Sequence, residues 1–148
     1  MLFFWIKLVH IIATSVWFGI NLMQAGEIRN ALSLGTPHIQ ALVPRVNRIH
    51  AVSLVSGFVT ILTGFTMIFL VGGFAFVPGR IHAGLGLTLC LYAVEYLLVI
   101  GSWRKILGVV SSGNVPSTAL PFAKRYAMGT GIGHLLRTII LATMVIPF

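Results

Sequence analysis

Four of the five histidines in this chain fall one in each of four apolar segments, at His10, His50, His82 and His134, while His38 lies in a polar loop. Ionisable side chains inside a membrane are rare and costly, and those that occur usually face the protein interior and carry function. Imidazole is a common axial ligand of haem iron. The pattern therefore predicts that pairs of histidines from facing helices ligate the iron of one or two b-type haems.

The apolar segments must form the elements that position these histidines. The chain has 148 residues, of which 57% are hydrophobic and 8% are charged, whereas about a quarter of the residues of a soluble domain are charged. A spanning helix needs about 20 mostly apolar residues, and closed backbone hydrogen bonding favours helices in lipid. We therefore expect an all-α, integral membrane four-helix bundle. Its single domain, 1–148, has spans at about 2–23, 47–71, 80–102 and 126–146, with Pro44 near the start of the second.

The net charge of +8 predicts how the bundle is oriented. A basic surface can bind nucleic acid, but here the basic residues stand at the ends of apolar runs, so we expect no nucleic-acid partner. Lys7 and Arg80 belong to the side that holds both termini. Seven basic residues belong to the other side, namely Arg29, Arg45, Arg48, Arg104, Lys105, Lys124 and Arg125. That side is therefore predicted to be cytoplasmic. The predicted location is the inner (plasma) membrane of a bacterium or archaeon.

Alternating helix direction sorts the four histidines by depth into two pairs. His10 and His82 lie towards the terminal side, and His50 and His134 lie towards the cytoplasmic side. At 1.5 Å per residue, the two levels are roughly 15–20 Å apart within a core about 30 Å thick. This arrangement suits haem relaying electrons across the membrane.

Residues around the histidines could complete such sites. Small residues clear space for a flat macrocycle, or simply let helices pack closely, and they occur at Gly57, Gly86 and Gly133. Trp17 lies two turns from His10 on the same helix face. Arg48 and Arg137 stand close to His50 and His134, and arginine suits the carboxylates of haem propionates. Trp5 and Trp103 are predicted to be interfacial belt residues.

Glu95 is an acidic residue within the predicted third span. A carboxylate there must be paired, protonated or facing water. It lies about 140° around the helix from His82, so it is off the predicted haem face. It could pair with Arg104, accept a proton from a quinol, or contact a partner subunit, and we favour the pairing. Lys7 and Glu95 are the candidate catalytic residues.

The stretch Trp5-Ile6-Lys7-Leu8-Val9-His10, continuing to Trp17-Phe18-Gly19, resembles the first span of the HemJ and CopD families of small membrane proteins. The resemblance to HemJ implies haem binding by His10, a functional place for Lys7 and oxidation of protoporphyrinogen. The resemblance to CopD implies copper uptake. Arg80-Ile81-His82-Ala83-Gly84-Leu85 resembles the start of the third HemJ span, but the family has a lysine where this chain has Gly84.

The leading hypothesis is a b-type haem protein that transfers electrons across the membrane, between a quinone pool and a partner redox protein. The alternatives are a HemJ-like protoporphyrinogen oxidase, a CopD-like copper transport protein, and a cofactor-free structural subunit of a respiratory complex. Whether the chain is itself an enzyme stays open; if it is, it is an oxidoreductase or an electron-transfer subunit. Expected partners are membrane lipid, other subunits of a redox complex or a second copy, and a quinone.

Overall fold

The computed structural model describes residues 1–21, 23–113 and 116–145, and this part of the chain is helical and contains no β-strand. The helices are α1 Leu2–Gly19, α2 Gln24–Leu34, α3 Thr36–Leu70, α4 Gly79–Val94, α5 Gly101–Ser111 and α6 Leu120–Val145. A π-helical segment, Glu95–Ile100, joins α4 to α5 without a break, and short 3₁₀ turns occupy Phe74–Phe76 and Pro116–Ala119. The prediction of an all-α chain is therefore confirmed.

Three helical segments of the described chain are long and apolar enough to cross a membrane, namely Leu2–Leu34, Thr36–Leu70 and Gly79–Ser111. These lengths agree with an integral membrane protein. The helix Thr36–Leu70 is about 52 Å long at 1.5 Å per residue, which exceeds the roughly 30 Å hydrocarbon core. The predicted span 47–71 is therefore the later part of a longer helix, and Pro44 lies inside that helix.

Helix α1 packs mainly against α3, and the two run antiparallel. Small and hydroxyl-bearing side chains mark the contact, as expected where membrane helices approach closely. From one end of the contact to the other, the facing residues are His10 and Thr63, Thr14 and Thr60, Trp17 and Gly57, and Asn21 and Ser53. The rest of α1 exposes large apolar side chains such as Phe4, Leu8 and Ile12.

Helix α4 packs mainly against α6. A Cβ added at Gly84 would overlap the end of the Met144 side chain, and one added at Gly129 would lie 2.9 Å from the Cβ of Leu98. Gly129 thus lets α6 approach the π segment that continues α4 closely, whereas the flexible Met144 side chain could move aside for a Cβ at Gly84. The turn that brings α4 back from α3 contains Gly72 and Gly73, with φ of 107° and 98°, in a region of backbone conformation that favours glycine.

Trp17, Leu91 and Ile140 form one hydrophobic core. A second hydrophobic core fills the end of the molecule where α2, α5 and the starts of α3 and α6 meet. Its buried residues include Ile28, Ile39, Val46, Ile106 and Tyr126. Trp103 belongs to this core, is 2% exposed, and donates its indole N–H to Asn47 Oδ1 at 2.7 Å. Trp103 is therefore packed inside the protein and not exposed in the predicted interfacial belt, because the face of α5 that carries it is turned towards α3.

The seven basic residues predicted to be cytoplasmic are all exposed around this second core. Arg45 pairs with Glu27 at 2.8 Å on the surface. Arg104 lies over the ring of Tyr96, 5.7 Å from its centre, and Lys105 lies over Phe122. The charged surface and the apolar surface of α1 thus occupy different parts of the fold.

Candidate functional site

A cavity of about 480 Å³ opens between α1, α3, α4 and α6. This volume is within the range of small-molecule and cofactor sites. Its lining is mostly apolar, with Ile61, Ile68, Leu85 and Ile140 among the contributors. The polar contributors come mainly from α1 and the facing part of α3: Lys7, His10, Thr14, Ser15 and Thr60, together with Thr88 of α4. The site is therefore a hydrophobic pocket whose polar groups are concentrated on α1 and the facing part of α3.

His10 is the histidine that lines this cavity. Its Nδ1 lies 2.9 Å from Thr63 Oγ1, and the Thr63 hydroxyl donates to the Val59 carbonyl at 2.6 Å. The Thr63 oxygen must then accept from His10, which places the imidazole proton on Nδ1 and leaves a lone pair on Nε2. Gly64 gives the ring its room, since a Cβ there would lie 3.5 Å from His10 Cε1. Histidines that ligate metals commonly donate their other ring N–H to a protein oxygen, as His10 does to Thr63.

Trp17 forms one wall of the same cavity and is fully buried. A Cβ at Gly57 would lie 2.8 Å from Trp17 Cε2 and 3.0 Å from Tyr92 Cδ2, so the indole needs glycine at that position. Tyr92 packs edge-on against the indole, with ring centres 6.0 Å apart. The indole Nε1 donates to Glu95 Oε2 at 2.6 Å. Trp17 thus touches the cavity and the acidic residue of the π segment.

Glu95 is 2% exposed and lies at the centre of a polar cluster. Arg137 of α6, which is 5% exposed, places Nη2 3.3 Å from Glu95 Oε2. Asn21 donates to Glu95 Oε1 at 2.9 Å, and Ser53 donates to the same oxygen. The pairing favoured from the sequence is therefore present, but its partner is Arg137 and not Arg104.

The other three predicted ligands have separate surroundings. His82 is exposed, with Nδ1 3.3 Å from the Pro78 carbonyl and its ring 5.7 Å from Phe74. His50 is buried, and its Nε2 lies 2.9 Å from Tyr126 Oη. His134 is partly buried on α6. In the described part of the chain, no hydrogen bond or ring contact joins His10 to His82 or His50 to His134, and both pairings stay predictions.

The remaining predicted site residues are distributed over the fold. Arg48 is exposed and stands about 18 Å along α3 from Thr60, where the cavity begins. Gly86 meets nothing within 4 Å, whereas Gly133 faces Arg137, whose Nη1 would be 3.2 Å from an added Cβ. Among residues 1–21, 23–113 and 116–145, no group of three or more His, Cys, Asp or Glu side chains could hold a metal ion.

Several residues of these sites could not be singled out from the sequence. Thr63 is a threonine among others on α3, and only its contact with His10 gives it significance. Tyr126 donates to Gln24 Oε1 at 2.8 Å and accepts from His50, a buried chain that joins three helices. In the sequence, these residues are distinguished only by being polar within or beside an apolar run.

Comparison of the chain with known protein families, with curated proteins and with solved structures found no match in any of the three. The likeness to HemJ and CopD therefore depends on the quoted residues of the first and third spans.

Proposed function

We propose that the chain is a four-span protein of a bacterial or archaeal plasma membrane, with α6 as the fourth span and the termini on the non-cytoplasmic side. The antiparallel packing of α1 on α3 and of α4 on α6 supports this count. The exposure of seven basic residues at the α2 and α5 end supports the orientation, because positive charge favours the cytoplasm.

We further propose that the cavity binds one b-type haem and that His10 would ligate its iron. The observation that carries this proposal is the position of His10 in a cavity of about 480 Å³, with Nδ1 held by Thr63. An imidazole anchored in this way presents Nε2 without reorganisation. The haem would supply one-electron redox chemistry, and the chain would serve as an electron-transfer subunit working with a quinone and a partner redox protein.

The remaining residues of the cavity have roles that follow from their chemistry. Lys7 lies on the lining one turn before His10, so its ammonium group would neutralise a haem propionate. Trp17 and Phe18 would cover a macrocycle face and exclude water. Arg137, which was predicted for a propionate, is engaged by Glu95.

The surroundings favour one haem over two. His82 is outside the cavity lining but belongs to α4, next to Ile81, which does line it. It stays the candidate for a second ligand. His50 already shares its Nε2 with Tyr126, and it does not line the cavity of about 480 Å³.

The test is the reduced absorption spectrum and haem content of the purified full-length protein, for the parent chain and for His10→Ala and His134→Ala. We expect a b-type α-band in the parent chain, loss of the haem in His10→Ala, and retention in His134→Ala. The second variant is the matched control, because it removes an imidazole that does not line the cavity. Absence of haem from the parent chain, or equal binding by His10→Ala, refutes the proposal.

The apolar lining with polar groups along one side also fits a quinone. If the purified protein carries extractable quinone and no haem, the quinone alone is the ligand of this cavity. The protoporphyrinogen oxidase alternative is less well supported. The HemJ resemblance requires a lysine at the position of Gly84, and that glycine instead packs against Thr143 and Met144 of α6. The copper and structural-subunit alternatives both predict a purified protein without haem, and metal analysis separates them.

A further inference from the structure

The exposed basic residues at the α2 and α5 end of the molecule lie close to one level of the fold. At 1.5 Å per residue, about 20 residues of a helix cross a hydrocarbon core about 30 Å thick. Counted from the opposite helix ends, this crossing is complete near His50 in α3, Leu98 in the π segment and Tyr126 in α6. His50 and Tyr126 are hydrogen-bonded at 2.9 Å, so the counts along α3 and α6 agree on the position of the hydrocarbon edge.

Six of the seven basic residues stand within about 10 Å of this edge along α3, α5 and α6. The seventh, Arg29, is on α2, two residues from the Glu27 that pairs with Arg45. Headgroups occupy roughly the next 5–8 Å, which a lysine or arginine side chain can span by bending back along its helix. Farther out, the stretches 30–44 and 106–123 contain no Asp, Glu, Lys or Arg. A soluble acidic protein would meet this uncharged tip first, whereas lipid headgroups lie beside the cations.

The protein supplies few negative charges to neutralise these cations. Its acidic side chains are Glu27 and Glu95, and they pair with Arg45 and Arg137. The basic residues of α5 and of the start of α6 therefore have no carboxylate side chain as a partner. An anion from outside the chain can approach them without competing with an internal ion pair.

Two of these cations flank the junction between α5 and α6. Lys105 of α5 places Nζ 5.6 Å from the centre of the Phe122 ring of α6, so its side chain reaches across the junction. Arg125 is three residues after Phe122, on the same side of α6, and is exposed. Towards the membrane, Met128 and Ile132 continue that side of α6 and are 55% and 37% exposed. The junction therefore has positive charge at headgroup level and an apolar surface beneath it.

We propose that the α5–α6 junction binds one anionic phospholipid of the membrane. Lys105 and Arg125 contact the phosphate of its headgroup, and an acyl chain lies along Met128 and Ile132. Arginine and lysine are common phosphate-binding residues, and basic sites between helices at the cytoplasmic side recognise acidic lipids. The inference rests on the proposed four-span arrangement, because the membrane edge must pass through this level, and it is independent of the haem.

The charge around the junction favours a lipid whose headgroup is negative overall. Arg104 and Lys124 are the sequence neighbours of Lys105 and Arg125 and are exposed at the same level. They repel the choline group of a zwitterionic lipid and attract an acidic headgroup. Binding should therefore discriminate phosphatidylglycerol from phosphatidylcholine, although both contain a phosphate diester, and it should weaken as added salt screens the charges.

Thermal unfolding of the full-length protein in a neutral detergent tests the lipid preference, because a ligand that binds the folded state raises Tm. Phosphatidylglycerol at about ten times its dissociation constant should raise Tm by about 3–6 °C. Phosphatidylcholine with the same acyl chains should leave Tm unchanged. Native mass spectrometry should show one retained phosphatidylglycerol per chain. Equal Tm shifts with the two lipids overturn the proposal.

Paired substitutions locate the site. Lys105→Gln combined with Arg125→Gln should weaken phosphatidylglycerol binding by about tenfold or more and remove most of the Tm shift. Arg29→Gln combined with Arg48→Gln is the matched control, because it removes two exposed cations from the same end of the molecule but from α2 and α3, and it should keep the shift. Equal losses in the two double variants would mean diffuse attraction by net charge and would overturn the junction as a site.

Two further results separate this proposal from its alternatives. If a soluble oligo-glutamate peptide raises Tm as much as phosphatidylglycerol does, with the same loss in the junction variant, the surface binds an acidic protein and the lipid proposal is overturned. Washing isolated membranes with alkaline carbonate tests the four-span arrangement itself. Release of the chain without detergent contradicts that arrangement and the lipid site with it, whereas a chain that stays in the membrane but shows no lipid preference contradicts the lipid site alone.

Discussion

Replacing Arg137 by methionine should destabilise the fold strongly, because Glu95 would keep a buried charge without its counter-ion. The side chains of Arg137 and Glu95 are 6% and 3% exposed, and their closest atoms are 3.3 Å apart. At an effective dielectric constant of about 20, two unit charges at this distance attract by about 5 kcal/mol. Removing one partner of a buried ion pair costs about 3–5 kcal/mol. We expect about 3 kcal/mol, since three other donors still reach the carboxylate.

A double-mutant cycle in detergent measures this interaction. The variants are Arg137→Met, Glu95→Gln and the two combined, and the readout is the free energy of unfolding. Because the double variant leaves no unpaired charge, it should be more stable than the sum of the single losses predicts, with a coupling of about 2–3 kcal/mol. In a thermal scan, the Arg137→Met loss corresponds to a decrease in Tm of roughly 6–12 °C.

The matched control is the ion pair of Arg45 and Glu27, which has a similar distance of 2.8 Å but side chains 61% and 32% exposed. Exposed pairs contribute about 0–1 kcal/mol, so Arg45→Met should have little effect. The reasoning is refuted if Arg137→Met costs no more than Arg45→Met, or if the two central substitutions prove additive.

Two further substitutions test the packing and the buried hydrogen bonds. Gly57→Ala should lower the free energy of unfolding by about 1–3 kcal/mol, because it forces a methyl group against Trp17. Gly86→Ala places its methyl group in open space, so it should be neutral or stabilise the protein by up to about 1 kcal/mol. Equal free energies of unfolding for the two variants would contradict this expectation. Tyr126→Phe should cost about 1–3 kcal/mol because it leaves His50 Nε2 unpaired, and a denaturation midpoint equal to that of the parent chain would show that the hydroxyl contributes nothing.

The helical class and the membrane character could be predicted because they depend on composition and on the length of apolar runs. The true start of α3 could not, because its first turns are polar. Those turns are stabilised by burial of Ile39 and Val46 against α2 and α5, a contact between segments far apart in the sequence. Trp103 illustrates the same limit, since an aromatic residue beside two basic residues is typical of a membrane interface.

Parts of the candidate site could be predicted from helix geometry. His10 and Trp17 are seven residues apart, so one face of α1 carries both into the cavity. The partner of Glu95 could not be predicted in this way. Arg104 is near in sequence but nine residues on, which is about half a turn away around an α-helix, while Arg137 arrives from α6. Tertiary packing of α6 on α4, helped by Gly129 and Gly133, decides that contact.

The π segment Glu95–Ile100 determines how one continuous helix can serve two hydrophobic cores. Before it, Leu91 faces Trp17 and Ile140; after it, Trp103 and Ile106 face α2 and the start of α3. A π turn contains more residues than an α turn, so it changes the direction in which the side chains of α5 point relative to those of α4. A substitution within it would alter the contacts of one side chain. Deleting a single residue would rotate α5 by about 100° relative to α4 and turn its core face away from α2 and the start of α3. Insertions and deletions should therefore be far less tolerated there than changes of side chain.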